Sequence, residues 1–441
     1  MRSDRLGPQG ELPPVHEAWL PREHSLHRPR HGRRQVTALS CALVFFAAPT
    51  LMWVAGMRPS EIENHDLAGF PSAGDGWAFF TGMDSWSTDN LVFRAGAVQA
   101  TDWVSRTFFG ESAPFDQGGG APSGPLGGTP SDDGTEPAPG GADEDGADQA
   151  GYRRVIEGSD GWLYFGKDTL NKCEPAQPLD TTVAALAELR RMVEDSGRKF
   201  VFVPVPDKTT MVPDYLPDSY PGKDCADAVT PDLWRKLLRV ASGVDIRPRL
   251  QGAADRLGHP VYYKLDTHWT HEGALEMVGA IAEEVTAGIS ERWKLQIQET
   301  YSNPADLPPL IGQRGDNTAT LYQLKPDGKT NRSGDGTDKL DKPVHRTSNA
   351  VRGMVTKPTV VLGDSFLLTS SYYLPGAFSD VTMQYYHSAP QHPDQTIKTM
   401  VDSDVVVLQA VERNIAAGAI EVLTQDFLTK AGQELAKHPI N

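Results

Sequence analysis

The sequence predicts an α/β domain of three layers, a mostly parallel sheet covered on both faces by helices, preceded by one N-terminal transmembrane helix. Three observations carry this. The runs "KFVFVPVP", "KPTVVLGD" and "DVVVLQAV" have strand length and too little polarity for a wet face. Segments with helical spacing alternate with them. Ahead of all these stands an uncharged stretch of 22 residues from Val36 to Met57.

At a rise of about 1.5 Å per residue this stretch makes a helix about 33 Å long, enough to cross a hydrocarbon core of about 30 Å. Seven arginines precede it (Arg2, Arg5, Arg22, Arg28, Arg30, Arg33 and Arg34), so residues 1–35 read as a basic cytoplasmic tail. The rest of the chain then lies outside the cell membrane on a single-pass anchor. A cleaved signal peptide is the competing reading, but the stretch is long for one and no clear cleavage site follows. Residues 58–117 form a juxtamembrane segment. Residues 118–150 have Leu126 as their only large apolar residue and neither lysine nor arginine, a composition that cannot offset its conformational entropy, so they read as a disordered acidic linker.

The main domain spans residues 151–441. It opens on "YRRVIEGSDGWLYFGKD", an alternating pattern around Asp160-Gly161 that reads as a hairpin. "TTVAALAELRRMVEDSG" is a helix by the spacing of Val183, Leu186, Leu189, Met192 and Val193, "KFVFVPVP" a buried strand and "PDLWRKLLRVASG" a helix. "HPVYYKLD" reads as a strand and "THEGALEMVGAIAEEVTAG" as a helix with Thr270 at its N-cap. The polar stretch from Lys325 to Lys357 reads as a loop or a lid. "KPTVVLGD" and "DVVVLQAV" are strands, and "AIEVLTQDFLTKAGQELAK" closes the domain as a helix.

An apolar content of 39% suffices for a core, and the formal net charge of -16 argues against a general affinity for nucleic acid. Of the three cysteines, Cys41 falls in the membrane stretch, while Cys173 and Cys225 lie in the exported part, where oxidising conditions favour their pairing.

Chemistry concentrates at two predicted strand ends, where open α/β sheets place their working residues. In "TVVLGDSF", Gly363 permits a tight turn and Ser365 stands where a helix begins, a place that favours developing negative charge. A serine needs a base within reach. His268 in "KLDTHWTHEG" supplies one, with Asp266 orienting the imidazole and stabilising its charged form. A metal site built on Asp266, His268 and His271 is the weaker alternative, because a short cluster on one turn makes a poor cage. No cofactor or metal is expected.

"VIEGSDGWLYF", "FVPVPDKTTMVPDYLP", "YYKLDTHWTHEGA", "VVLGDSF" and "VERN", in this order, resemble the AlgJ/AlgX-like alginate O-acetyltransferase family, extracytoplasmic enzymes with an SGNH-hydrolase-like domain. "ENHDLAGFP" and "DNLVFR" resemble the family's N-terminal region. The resemblance implies Ser365 as nucleophile, His268 as base and Asp266 as orienting acid, in the chain order of this family. It also marks Asp207, Lys208, Arg413 and Asn414 as substrate-binding candidates. For Asp207 and Lys208 a structural ion pair or turn is the alternative, for Glu412 and Arg413 a buried pair, while Asn414 has the chemistry to donate to an oxyanion. Trp162 and Trp269 suit sugar stacking or, more simply, the core.

The function so implied is extracytoplasmic O-acetyl transfer to hydroxyls of a cell-surface or secreted polysaccharide, with a membrane-bound O-acyltransferase partner supplying acetyl. The same triad serves a polysaccharide acetyl esterase, and the fold alone serves a non-catalytic envelope scaffold.

Overall fold

β-Branched residues build the central sheet of the computed structural model, which describes residues 151–337 and 339–440 together with Thr37, Leu39, Ser40, Leu43 and Trp86. The chain divides into two compact units, Met1–Ser60 with Asp66–Arg94, and Glu61–His65 with Ala95–Asn441. Of the first unit only the five isolated residues are described, all helical. The expected membrane helix over 36–57 lies outside the described residues but for four of them, and the expected tail, juxtamembrane segment and linker lie outside apart from Trp86. Among the described residues no helix is long and apolar enough to cross a membrane.

The second unit begins with the expected hairpin, β1 (Val155–Glu157) and β2 (Leu163–Phe165), paired antiparallel. Asp160 and Gly161 turn it with positive φ angles of 54° and 73°. Short helix α1 (Lys167–Cys173) and long helix α2 (Leu179–Asp195) lead to β3 (Lys199–Val205). One turn of helix, α3 (Lys208–Met211), follows, then α4 (Lys223–Arg239), α5 (Arg247–Leu257) and α6 (His271–Val285). The ribbon β4 (Lys294–Pro304) and β5 (Asp316–Lys325) stands apart from the main sheet. The chain closes with β6 (Val344–Thr347), β7 (Thr359–Gly363), α7 (Leu367–Ser370), α8 (Leu374–Ala377), β8 (Asp380–Tyr385), α9 (Pro393–Val401), β9 (Val405–Val411), α10 (Glu412–Ala417) and α11 (Gln425–Lys437).

The sheet order is β3-β9-β7-β8-β6. Its first four strands run parallel and β6 pairs antiparallel with β8, so the sheet is mixed and mostly parallel. Alternate residues divide between two cores, as a period of two requires. Val201, Val203, Val361 and Val407 face α5 and α6, while Phe200, Phe202, Leu362 and Leu408 face α2, α4, α9 and α11. A third, smaller cluster joins Val155 and Leu163 of the hairpin to Leu307, Leu310 and Ile311.

Three expectations need correction. "HPVYYKLD" forms no strand: Tyr262 makes a single bridge to Trp269, and the Lys264 carbonyl is taken by Leu163 N–H (3.0 Å) and by the Lys208 ammonium (2.9 Å) instead of a sheet neighbour. The helix containing "PDLWRKLLR" starts earlier, at Lys223, with Pro231 inside it. The polar stretch after Lys325 supplies the edge strand β6 and is pinned by Leu340 O, which accepts from Tyr385 N–H at 2.8 Å.

Cys173 at the end of α1 is bonded to Cys225 in α4, with Cα atoms 5.9 Å apart and 52 residues between them in sequence. Loop closure of that length contributes about 4 kcal/mol. Replacing both cysteines by serine should therefore lower unfolding stability by about 2–4 kcal/mol in a denaturant titration, and an unchanged midpoint would show that the bond braces nothing.

Candidate active site

Ser365 follows β7 on a turn that passes through Gly363 and Asp364. A Cβ on Gly363 would collide with the Gln409 amide oxygen and crowd Leu367. Asp364 is buried and ties the turn down: its carboxylate accepts from Phe366 N–H (3.1 Å), Gln409 Nε2 (2.8 Å), Val411 N–H (2.6 Å) and the Tyr386 hydroxyl (3.3 Å). The nucleophile candidate is thus fixed by its neighbour's hydrogen bonds into β9.

Opposite it, the loop before α6 brings His268 Nε2 to 2.8 Å from Ser365 Oγ. His268 Nδ1 lies 2.7 Å from Asp266 Oδ1, and His268 N–H donates to the same oxygen at 3.0 Å. Asn317 Nδ2 (2.8 Å) and Asp306 N–H (3.3 Å) donate to the other Asp266 oxygen. The Phe366 ring sits 4.8 Å from the imidazole, centroid to centroid. This is the nucleophile, base and orienting-acid arrangement of acyl-transfer sites.

Asp306 was not legible in the sequence. Its carboxylate accepts from Thr267 N–H (2.9 Å) and the Thr267 hydroxyl, and its Oδ2 stands 3.4 Å from His268 Nδ1. The only local signal is an acid held among prolines in "NPADLPPL". Burial by itself would depress the His268 imidazole, but hydrogen bonds and charge from Asp266 and Asp306 outweigh it and hold its pKa well above the ordinary value. Burial would raise Asp266, yet its bonds from His268 and Asn317 keep it low, while burial and the Asp266 charge push Asp306 up.

His271 takes no part in a ligand cluster with Asp266 and His268. Its two ring nitrogens pair with the Tyr301 and Tyr373 hydroxyls, each at 2.8 Å, and burial lowers it to about 4, so it is neutral. Asp266, His268 and Asp306 bring possible ligand atoms within 4.8 Å of one another, but the donors already aimed at both Asp266 oxygens leave that residue poorly placed for a cation.

The expected substrate contacts separate into two groups. Asp207 and Lys208 are buried, 0% and 1% exposed, and do not face a cavity with Ser365. The Lys208 ammonium donates to the carbonyls of Leu163 (2.5 Å), Lys264 (2.9 Å) and Asp266 (2.9 Å). Burial draws its pKa down to about 7, but three carbonyl acceptors call for three N–H donors, which only the charged form has. Lys208 is therefore the post on which the His268 loop is hung. Asp207 joins Asp168, Lys172, Glu412 and Arg413 in a buried ionic cluster: Lys172 reaches Glu412 at 2.9 Å and Asp207 at 3.2 Å, and Arg413 reaches Asp207 at 3.2 Å and Asp168 at 3.3 Å. Glu412 is a structural partner there.

Arg413 and Asn414 do reach the site. The Arg413 guanidinium lies between the Phe165 and Phe366 rings, 5.4 and 5.5 Å from their centroids, and borders Ser365 with Asn414, whose Nδ2 donates to the Tyr386 hydroxyl at 2.8 Å. Trp269 is fully buried, and Trp162 stacks on Tyr215 at 4.6 Å, so both are core residues. Thr270 occupies the N-cap position of α6 without a side-chain cap, and its hydroxyl is buried without a partner.

A family model described as SGNH hydrolase-like domain, acetyltransferase AlgX, matches residues 155–409, more than half of the chain. The chain belongs to this AlgX family. The chain is 26% identical over 162 residues to a probable alginate O-acetylase AlgJ of Pseudomonas fluorescens, covering 35% of this chain and 40% of the relative. Against the probable alginate O-acetylase AlgJ of Pseudomonas syringae pv. tomato the identity is 28% over 166 residues, covering 36% and 41%. The match thus spans about two fifths of these relatives' length. The O-acetyltransferase domain of Pseudomonas putida AlgJ superposes with a TM-score of 0.44 and 17% identity, over 64% of this chain and 99% of that domain.

Proposed function

We propose that this AlgX-family domain transfers acetyl groups to hydroxyls of a cell-surface or secreted polysaccharide through an acetyl-serine. The observation that carries the reading is the Ser365 Oγ–His268 Nε2 distance of 2.8 Å with Asp266 at 2.7 Å on the far nitrogen. Ser365 Oγ attacks the donor's carbonyl carbon while His268 Nε2 takes the hydroxyl proton. The tetrahedral adduct collapses, the donor alkoxide leaves with that proton, and acetyl remains on Ser365. A sugar hydroxyl then gives its proton to His268 and attacks the acetyl carbon, releasing Ser365. Asn414 and Arg413, which border Ser365, are the side chains suited to the oxyanion.

The relatives named probable alginate O-acetylase support a polysaccharide as the acceptor. The uncharged stretch at 36–57 and the arginines before it support a single-pass anchor with the catalytic domain outside the membrane. An enzyme so placed has no cytosolic acetyl-CoA at hand, so a membrane-bound O-acyltransferase partner is the fitting source of acetyl.

The test is to incubate the protein with an activated acetyl ester, with and without oligosaccharide acceptors, beside Ser365→Ala. Peptide mass spectrometry should find acetyl on Ser365 and on the sugar, both absent from the variant. Acetyl released only to water, with Ser365 required, would make the protein an esterase. Sugar acetylation that survives Ser365→Ala would end the acetyl-serine mechanism.

A further inference from the structure

Two cavities of unequal size meet at Ser365, His268 and Asp306. We infer that they divide the two substrates: the smaller recess holds the acyl chain and limits its length, and the larger cleft holds the acceptor sugar. This deepens the acetyl-serine reading and rests on it.

The recess has a volume of about 180 Å³ and the cleft about 570 Å³. Pockets for drug-sized ligands run from about 300 to 1,000 Å³, so the cleft falls within that range and the recess below it. Phe165, Leu307 and Leu310 give the recess one apolar wall, with Leu307 0% and Leu310 4% exposed, beside the polar side chains of Lys167 and Thr267. These leucines pack with Val155, Leu163 and Ile311, so the wall is backed by a cluster of its own and has little freedom to retreat. Arg413 and Asn414 line the same recess as Ser365.

The cleft is lined by Tyr263, His271, Tyr301, Tyr372, Asn303 and Thr337. Phenol faces and hydroxyl and amide groups match the alternating apolar faces and hydroxyl edges of a pyranose. Past Tyr301, Gly336 and Tyr372 it continues into a further cavity of about 540 Å³ bordered by Gln298, Glu299 and Asn331, which gives the acceptor side length for more than one sugar residue. The donor's leaving group and the incoming sugar therefore share the cleft in turn, while the acetyl stays in the recess.

The test uses p-nitrophenyl acetate, butyrate and hexanoate with and without an oligosaccharide acceptor. Leu310→Ala should shift the butyrate-to-acetate ratio of acylation rates upward by about tenfold or more, since a pocket built for one chain length discriminates by that much per methylene, and should leave the acceptor KM in place. Phe165→Ala, whose side chain is only half-buried, should move the ratio in the same direction and covers the case in which Leu310→Ala does not fold. Tyr372→Ala should raise the acceptor KM several-fold without moving the ratio. A ratio unmoved in folded Phe165→Ala or Leu310→Ala, or a ratio moved by Tyr372→Ala, would overturn the division of the site. Absence of any acyl group on Ser365 in the unaltered protein would overturn instead the acetyl-serine reading beneath it.

Discussion

Asp266→Asn should slow acylation of Ser365 by about 10⁴-fold while the protein stays folded. Both Asp266 oxygens accept from donors: His268 Nδ1 and N–H on one, Asn317 Nδ2 and Asp306 N–H on the other. An amide has one oxygen for these two sides, so its NH₂ group must face a donor. If the NH₂ faces His268, Nδ1 becomes the acceptor, the ring proton moves to Nε2, and the base can no longer take the Ser365 proton. The pH profile gives an independent reading. Since the base works as neutral imidazole and the two carboxylates hold its pKa above the ordinary value, the wild-type rate should climb with pH through the alkaline range. Removing the Asp266 charge should move the midpoint down towards the ordinary imidazole value. Single-turnover acylation by an activated ester from pH 5 to 10 measures both, and a midpoint that does not move would separate Asp266 from the base.

Lys172→Met should cost about 3–5 kcal/mol of stability, because it leaves buried carboxylates without one of their two cations. The cluster holds three carboxylates, Asp168, Asp207 and Glu412, against two cations, Lys172 and Arg413. Burial, followed by the Asp168 charge, pushes Asp207 well up, so a proton on Asp207 brings the five groups to neutrality. Removing Lys172 leaves one cation for the carboxylates. The folded pKa values of Asp168 and Asp207, already raised by burial, then rise further above the unfolded ones. A carboxyl raised on folding contributes stability at pH below its unfolded value, near 4, and loses it as pH rises through the folded value. The deficit should accordingly be full at neutral pH and shrink as pH falls towards about 4. Chemical denaturation at pH 7 and pH 5 tests this, and equal deficits would show that the cluster is not held by charge.

The parts of the fold legible in the sequence are those where one residue's character agrees with its neighbours. "KFVFVPV", "TVVLG" and "VVVLQAV" are apolar throughout because both faces of β3, β7 and β9 are covered. β8 escaped notice because Thr382 and Gln384 alternate with Val381 and Met383, and the polar pair is nevertheless buried. β4 is exposed over most of its length, Leu295 and Ile297 included, so their short alternation marks no buried face. "HPVYYKLD" has strand composition, but its carbonyl partners come from Lys208, more than fifty residues earlier, and no local pattern announces them. The same holds at the site. Ser365, His268 and Asp266 stand out because reactive side chains follow ordered segments, whereas Asp306 matters only through a fold that carries it back to Asp266 and Thr267.

The β4–β5 ribbon is inserted between the segment bearing His268 and the strand leading to Ser365, yet it is no part of the five-stranded sheet. Tyr301 and Asn303, near its tip, wall the cleft, while Asn317, just across the ribbon, holds Asp266. The chain thus separates what must be invariant from what is free to diverge. If the cleft takes the acceptor as proposed, exchanges along β4 would remodel its wall while the sheet and the nucleophile turn stay as they are.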